Sequence, residues 1–355
     1  MKKIPANSHG SANGSASGSK VTSVDVARIA GVSQSTVSRT LADGGSKVTA
    51  ATRARVLAAA AELGYTPNAI ARSLITRQTN IVGIVATNLG SPFQPYVVEK
   101  FLGALQQMGR QALVFTAPPD QEVDDILPLI LQYRVDGLII TSATLSSARL
   151  EAHARERTPI ILFNRSMPGE HITTVCCDNV QGGRMVADRL VDAGHRRFAC
   201  IVGSLNWSTA RDRVRGFVER LAERGASPPL RVQALYSYTA GHEAAGVLLE
   251  RDDPPDALFC GSDIVALGAL DYARARGIRV PDDLSVIGFD DIPMASWAAY
   301  ALTTIRQPVD EMIAATLEML AERIADPTMP TATRVFPVTH VERGSVRPVQ
   351  LGAGA

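Results

Sequence analysis

The chain is poor in aromatic residues: they make up 5% of its 355 positions, and only two are tryptophan. It has four cysteines, Cys176, Cys177, Cys200 and Cys260, all in apolar, strand-like runs without metal-ligand spacing. That pattern predicts small reduced core residues and argues against a zinc site or a disulfide framework. No apolar run reaches the length of a membrane span, and no stretch has the charged, apolar and small-residue order of a secretory signal. The expectation is a cytoplasmic protein that does not engage a membrane. Also lacking are a G-x-G-x-x-G after a first strand, a phosphate-binding Walker loop, a G-x-S-x-G elbow and His/carboxylate metal spacing. An enzyme, a cofactor and a bound metal are therefore not expected.

Net charge is nearly absent as well, at +1, but this average hides a division. Residues 1–80 hold 10 Lys/Arg against 3 Asp/Glu, whereas the remainder holds 26 against 32. A basic end on an acidic body concentrates attraction for phosphate at the N-terminal end. Residues 1–19 read as a disordered leader, with two lysines followed by Asn, Gly, Ser and Ala.

Two short helices joined by a tight turn are predicted next. Thr22 caps the first, with Asp25 as its capping-box partner. Gly31 forms the corner, and Ser33 caps a second helix that runs to about Leu41. Val24, Ala27, Val32, Val37 and Leu41 are spaced as an apolar seam, leaving Gln34, Ser35, Ser38 and Arg39 on the outer face. A helix that presents a polar first turn suits the DNA major groove. An alanine-rich third helix follows to Leu63, stopped by Gly64, with Val56, Leu57, Ala60 and Leu63 expected to close the small core. Asn68 caps a short segment ending near Leu74, too short to be stable alone in water.

From Ile81 onward, apolar runs alternate with amphipathic stretches, the signature of parallel sheets covered by helices on both faces. A first series places strands at 81–87, 112–116, 137–141, 160–163 and 173–177, with helices near 95–108, 123–132 and 148–155. A second places strands at 198–202, 234–236, 257–260 and 285–288, with helices near 182–192, 213–224, 241–249 and 264–276. Two such series predict two similar lobes with a ligand cleft beyond the carboxyl ends of the strands. Asn88, Thr141, Asn164, Arg165, Asp178, Asn179, Asp263, Asp290 and Asp291 follow strand ends. Asp178, Asn179 and Asp263 read better as turn and helix-start residues, and His195 as a helix-end residue.

The motifs, taken in order, resemble the lac repressor, galactose repressor and purine repressor family of bacterial transcription regulators. They are Asp25-Val-Ala-Arg-Ile-Ala-Gly31-Val-Ser, Thr36-Val-Ser-Arg39, Gly64-Tyr-Thr-Pro-Asn68, Ala71-Arg-Ser-Leu74, Asp136-Gly-Leu-Ile-Ile140, Asp178-Asn179, Arg213 with Gly216-Phe217, Ser262-Asp263-Ile-Val-Ala-Leu-Gly268, Val286-Ile-Gly-Phe-Asp-Asp291 and Leu302-Thr-Thr-Ile-Arg-Gln-Pro308. The resemblance implies an α-helical helix-turn-helix headpiece (20–66), a hinge helix and linker (67–80), and an α/β two-lobed core like periplasmic binding proteins (81–347), before a tail (348–355). Lobe one is expected over 81–177 and 308–335, and lobe two over 178–307 and 336–347.

The function implied is a sequence-specific repressor of a carbon-source operon. It would act as a homodimer on a pseudo-palindromic double-stranded operator, under control of a small hydroxylated effector, a sugar or sugar acid. The alternatives are a solute-binding protein without regulatory role and a purine-type, corepressor-dependent regulator. Carried over by position, Gln34, Ser35 and Arg39 would read bases. Thr22, Ser33, Thr36, Ser38, Thr49 and Thr52 would contact phosphates, and Asn68, Ala71, Arg72 and Leu74 would enter the minor groove. Phe93, Thr141, Asn164, Arg165, Trp207, Thr209, Arg213, Tyr238 and Asp290 would line the effector cleft. The pattern departs from several relatives after Tyr238, where the chain is two residues shorter. The tail has no leucine heptads, so a tetramer built on a terminal coiled coil is not expected.

Overall fold

The computed structural model describes residues 21–41, 48–66, 78–87, 89–117, 123–141, 158–166 and 172–349. The leader, the 148–155 helix, Asn88, and Asn68, Ala71, Arg72 and Leu74 of the hinge lie outside these residues. The chain divides into two compact units, 1–79 and 80–355.

The first unit has three helices, α1 (Ser23–Ala30), α2 (Gln34–Leu41) and α3 (Ala50–Glu62). The Asp25 carboxylate accepts from the Thr22 amide at 3.1 Å and from its hydroxyl at 2.8 Å, which starts α1. Gly31 ends it at φ +63°, a left-handed conformation that costs glycine little. Ser33 Oγ accepts from the Thr36 amide at 3.3 Å at the head of α2, and Thr49 does the same for Thr52 at the head of α3. Val26, Ala27, Ala30, Val37, Val56, Ala59 and Ala60 form the core. Two expected core residues are outside it: Val24 is 56% exposed and Leu57 is 49% exposed. α3 packs against the face of α1 that carries Val26, so periodicity located the helix but not the side that is covered.

The second unit contains two parallel sheets. The first, of six strands, has the order β11-β5-β4-β3-β1-β2, from β1 (Ile81–Thr87), β2 (Gln111–Ala117), β3 (Gly137–Ile140), β4 (Ile160–Phe163), β5 (Thr173–Cys177) and β11 (Thr333–Phe336). The second has the order β7-β6-β8-β9, from β6 (Phe198–Val202), β7 (Leu230–Gln233), β8 (Ala257–Cys260) and β9 (Ser285–Ile287). All pairings within both sheets are parallel. β10 (Thr304–Arg306) and β12 (Thr339–Val341) form a separate antiparallel pair. The chain passes between the two halves after β5, after β10 and after β11. Residues 234–236, read as a strand from sequence, are loop; the strand lies earlier, at 230–233.

Helices α4 (Phe93–Gln107), α5 (Val123–Gln132) and α10 (Val309–Ala325) belong to the first half. The second half has α6 (Asn179–Asp192), α7 (Ser208–Glu223), α8 (Tyr238–Leu249) and α9 (Asp263–Ala275). α6 and α7 meet backbone to backbone. A Cβ on Gly183 would lie 2.1 Å from the Arg213 carbonyl oxygen, and one on Gly216 would lie 2.0 Å from that of Val180. Only glycine permits this approach, and it holds Arg213 over the start of α6. The four cysteines are free and buried.

Candidate DNA-reading face and effector cleft

In the headpiece, Gln34, Ser35, Ser38 and Arg39 are exposed on α2. The Arg39 side chain lies back along its helix, with Nε donating to the Ser35 carbonyl at 3.2 Å. Gln34 is held from the neighbouring helix, its Nε2 donating to Ser23 Oγ at 3.0 Å. Between α2 and α3 lies an open concavity of about 350 Å³, lined by Val32, Ser33, Thr36, Arg39, Val48, Thr49 and Thr52. It gathers four of the six predicted phosphate-contacting residues beside one predicted base reader. Thr22 and Ser38 are outside it, and the Thr22 hydroxyl is engaged by Asp25. Two helix amino ends, at Ser33 and Thr49, open on this concavity, and helix amino ends favour anions.

In the core, the predicted cleft residues emerge at strand carboxyl ends. Thr141 follows β3; its buried hydroxyl is 3.2 Å from the Val85 carbonyl and 3.2 Å from Gln94 Oε1, near the buried Phe93 at the head of α4. Asn164 follows β4 at φ +58°, and its amide donates to the Val175 carbonyl at 2.7 Å. The Arg165 guanidinium is centred 5.7 Å from the Trp207 ring, and burial lowers its pKa to about 10. The Ser166 amide donates to Ser208 Oγ at 3.0 Å, a contact from the first half to the head of α7. Thr209, half-buried, is in the same turn.

Arg213 is 2% exposed and stacks 3.6 Å from the centre of the Phe289 ring. Its Nε donates to Asn179 Oδ1 at 2.8 Å, and its Nη1 donates to the Gly261 carbonyl at 2.6 Å and lies 3.2 Å from Asp290 Oδ1. Asp290 has φ +117° and accepts from Gln307 Nε2 at 2.7 Å. Burial raises its pKa, and the Arg213 charge opposes that shift. Asp263, wholly buried, takes the Thr304 hydroxyl at 2.5 Å and the Ile292 amide at 2.9 Å. Burial, with Asp290 second, pushes its pKa up to about 7. Asp291 is paired with Arg306 and Arg343 at 2.6 and 2.7 Å. The recorded partners of both carboxylates are groups of the protein itself.

Tyr238 does not join this group. It is 40% exposed, and its hydroxyl donates to Asp271 Oδ2 at 2.7 Å, two turns into α9 and away from the strand ends. Tyr236 occupies the place instead. Its ring meets Trp207 edge-on at 5.7 Å, and a Cβ on Gly261 would lie 2.9 Å from its hydroxyl. Burial raises the pKa of its hydroxyl, and the charges of Arg213 and Arg165 oppose that shift. Drawing the strand at 234–236 hid the useful signal, because Tyr236 follows the carboxyl end of β7 as the other cleft residues follow theirs.

His195 is not merely a helix end. It is buried, with Nδ1 3.3 Å from Asp256 Oδ1 and Nε2 2.8 Å from Ser285 Oγ. Burial lowers its pKa to about 4. Ser285 is fully buried in β9 and its oxygen accepts the Arg347 amide at 3.0 Å, so the cluster ties the C-terminal segment to the sheet. A concavity of about 690 Å³ lies at the amino end of β6, opposite the cleft; its Arg197 is held by Pro254 and Asp253.

A helix-turn-helix unit joined in one chain to a double α/β core with a polar, aromatic cleft defines a class: ligand-responsive DNA-binding regulators. The comparisons agree. Residues 23–68 match the model for bacterial regulatory proteins of the lacI family, and residues 187–346 match that for a periplasmic binding protein-like domain. The HTH-type transcriptional regulator DegA of Bacillus subtilis (strain 168) is 36% identical over 299 residues, 82% of this chain and 88% of that one. The ribose operon repressor of Escherichia coli (strain K12) is 34% identical over 325 residues, 90% of this chain and 98% of that one. The lac repressor dimer bound to operator and the anti-inducer ONPF superposes with TM-score 0.84 at 28% identity, covering 92% of this chain and 99% of that one. The chain belongs to the lacI family of bacterial regulatory proteins.

Proposed function

We propose that the protein is a cytoplasmic, non-catalytic repressor of a carbon-source operon. It binds a pseudo-palindromic operator as a homodimer and is switched by a small hydroxylated effector held between the halves of the core. Arg39, with Ser35 and Gln34, reads base edges in the major groove, and Ser33, Thr36, Thr49 and Thr52 fix register on phosphates. Asn164, Arg165, Trp207, Tyr236, Arg213 and Asp290 hold the effector, with ring faces for its C–H surface and charged forks for its hydroxyls.

The observation that carries the reading is the Arg213–Asp290 pair, buried at the strand ends of the second half, with Arg165 of the first half packed over Trp207 of the second. Support also comes from the ribose operon repressor among the relatives, and from solved family structures described with cellobiose and with ribose. An effector acts only through its different affinities for the two dimer states. The test is to select operator fragments from genomic DNA with the full chain, then titrate D-ribose, cellobiose, D-gluconate and hypoxanthine against the complex. The expected result is that one of the three carbohydrates weakens operator binding by a factor between about 5 and 150. Tighter binding with hypoxanthine would move the assignment to a corepressor-dependent regulator.

A further inference from the structure

Five buried residues close a ring of polar contacts where the chain passes between the two halves of the core. The Cys177 thiol donates to Gln307 Oε1 at 3.3 Å. Gln307 Nε2 donates to Asp290 Oδ1 at 2.7 Å, and Arg213 Nη1 lies 3.2 Å from that same oxygen. Arg213 Nε donates to Asn179 Oδ1 at 2.8 Å, and Asn179 Nδ2 returns to the Cys177 carbonyl at 3.1 Å. All five members are 7% exposed or less.

Every contact pairs a donor with an acceptor: Arg213 donates on both of its sides, Asp290 accepts on both of its sides, and the other three members each donate once and accept once. Both amides, Gln307 and Asn179, are used at their oxygen and at their nitrogen, so flipping either one breaks two contacts at once. The ring also spans the fold. Cys177 ends β5 at the first passage between the halves, and Gln307 follows β10 at the second. Asn164 Oδ1, on the first half, lies 3.9 Å from the Cys177 sulfur. A thiol is a weak donor, so the contact joining the two passages is the weakest in the circuit.

We propose that Cys177 and Gln307 are positioning residues of the cleft. The Cys177 thiol holds Gln307, and Gln307 fixes the side-chain orientation of Asp290, which in turn sets that of Arg213; the main-chain carbonyl of Cys177 closes the ring at Asn179. The geometry of the two passages therefore depends on the state of the cleft. This rests on the reading of the cleft as the effector site. A polar circuit of this kind is cooperative, so loosening one member is felt at the others.

The test uses the full chain and begins with the S–H stretching band of Cys177, isolated by infrared difference against Cys177→Val. The band should shift toward the free-thiol position in Gln307→Met. It should also shift in Asp290→Asn, although Asp290 does not touch the sulfur. A band indifferent to Gln307→Met overturns the proposal; a band that responds to Gln307→Met alone overturns the ring.

Hydrogen exchange at 179–183 and 305–309 supplies a second measurement. Cys177→Val should lose protection at both segments and Cys177→Ser, which restores a donor, should recover it; equal loss in both variants reduces Cys177 to a packing residue. The functional arm titrates D-ribose and D-gluconate against the selected operator complex. Cys177→Ser should keep the wild-type response and Cys177→Val should weaken it about tenfold, a step within the range of ordinary allosteric couplings. Equal responses from the two variants overturn the positioning role. A wild-type chain that binds operator and ignores both probes, while the band and exchange results hold, counts against the effector reading and leaves the ring standing.

Discussion

Removing the Arg213 guanidinium should unfold part of the core before it reveals anything about effector. The resemblance gives Arg213 only a place in the effector cleft; the structure gives it buried partners of its own as well. Arg213 is the buried counter-charge of Asp290 and also satisfies Asn179 Oδ1 and the Gly261 carbonyl. In Arg213→Met the carboxylate keeps the neutral donors Gln307 and Ser262 but loses its counter-charge, and two acceptors, Asn179 Oδ1 and the Gly261 carbonyl, lose their donor. Breaking a buried pair from one side costs roughly 3–5 kcal/mol. Asp290→Asn keeps an acceptor for Gln307 and should cost less, about 2 kcal/mol. In the double variant no uncompensated charge is left, so it should be less destabilised than the sum of the single variants by about 2–3 kcal/mol.

The assay is urea unfolding of the four proteins near neutral pH, followed by far-ultraviolet circular dichroism. The deficit of Arg213→Met should also shrink on acidification. Asp290 already has a raised pKa in the fold, and without Arg213 that shift grows. A raised folded pKa contributes stability at low pH that is lost as pH climbs through it. Additivity of the two substitutions within about 0.5 kcal/mol would refute the pairing argument. Arg213→Lys, which keeps the charge, is the appropriate variant for asking about effector.

Arg39→Ala should cost operator binding about 1–3 kcal/mol and relax discrimination at one base pair in titrations against single-base operator variants; equal loss on random DNA would make Arg39 a phosphate contact. Gly216→Ala should destabilise the core by about 3 kcal/mol or more in thermal unfolding, because its methyl carbon would fall 2.0 Å from the Val180 carbonyl oxygen. His195, with its pKa lowered to about 4, stays neutral in the fold while an unfolded histidine takes up a proton. Stability should therefore fall as pH drops from about 6.5 toward 4, by on the order of 3 kcal/mol. The difference between wild type and His195→Gln isolates this contribution from Asp263, whose raised pKa acts in the opposite sense.

Much of the fold was legible in order along the chain. Capping is local: Thr22 with Asp25, Ser33 with Thr36 and Thr49 with Thr52 are each three residues apart, so they appear as spacings in the sequence. Gly31 marks its corner because few other residues adopt that backbone conformation at low cost. Strands covered on both faces are unbroken apolar runs, which is why β1, β4, β5, β6 and β8 were found at their observed bounds. The exposed polar face of α2 was visible because polar side chains at one end of an otherwise apolar pattern have nowhere to go but outward.

Tertiary structure decided what depends on the direction a side chain faces and on residues far apart in sequence. Val24 and Val26 are equally apolar, and only the packing of α3 selects Val26 for the core. Tyr236 and Tyr238 are two residues apart, and the point where β7 ends determines which packs on Trp207 and which reaches Asp271. His195, read as a helix end, meets partners 61 and 90 residues away. The ring through Cys177 joins residues separated by as many as 130 positions. Sequence spacing determines contacts made within one helical turn or one strand, because chain geometry alone brings those groups together. Contacts across lobes arise only after the sheets and their three passages are in place, since folding then brings groups together that the chain holds far apart.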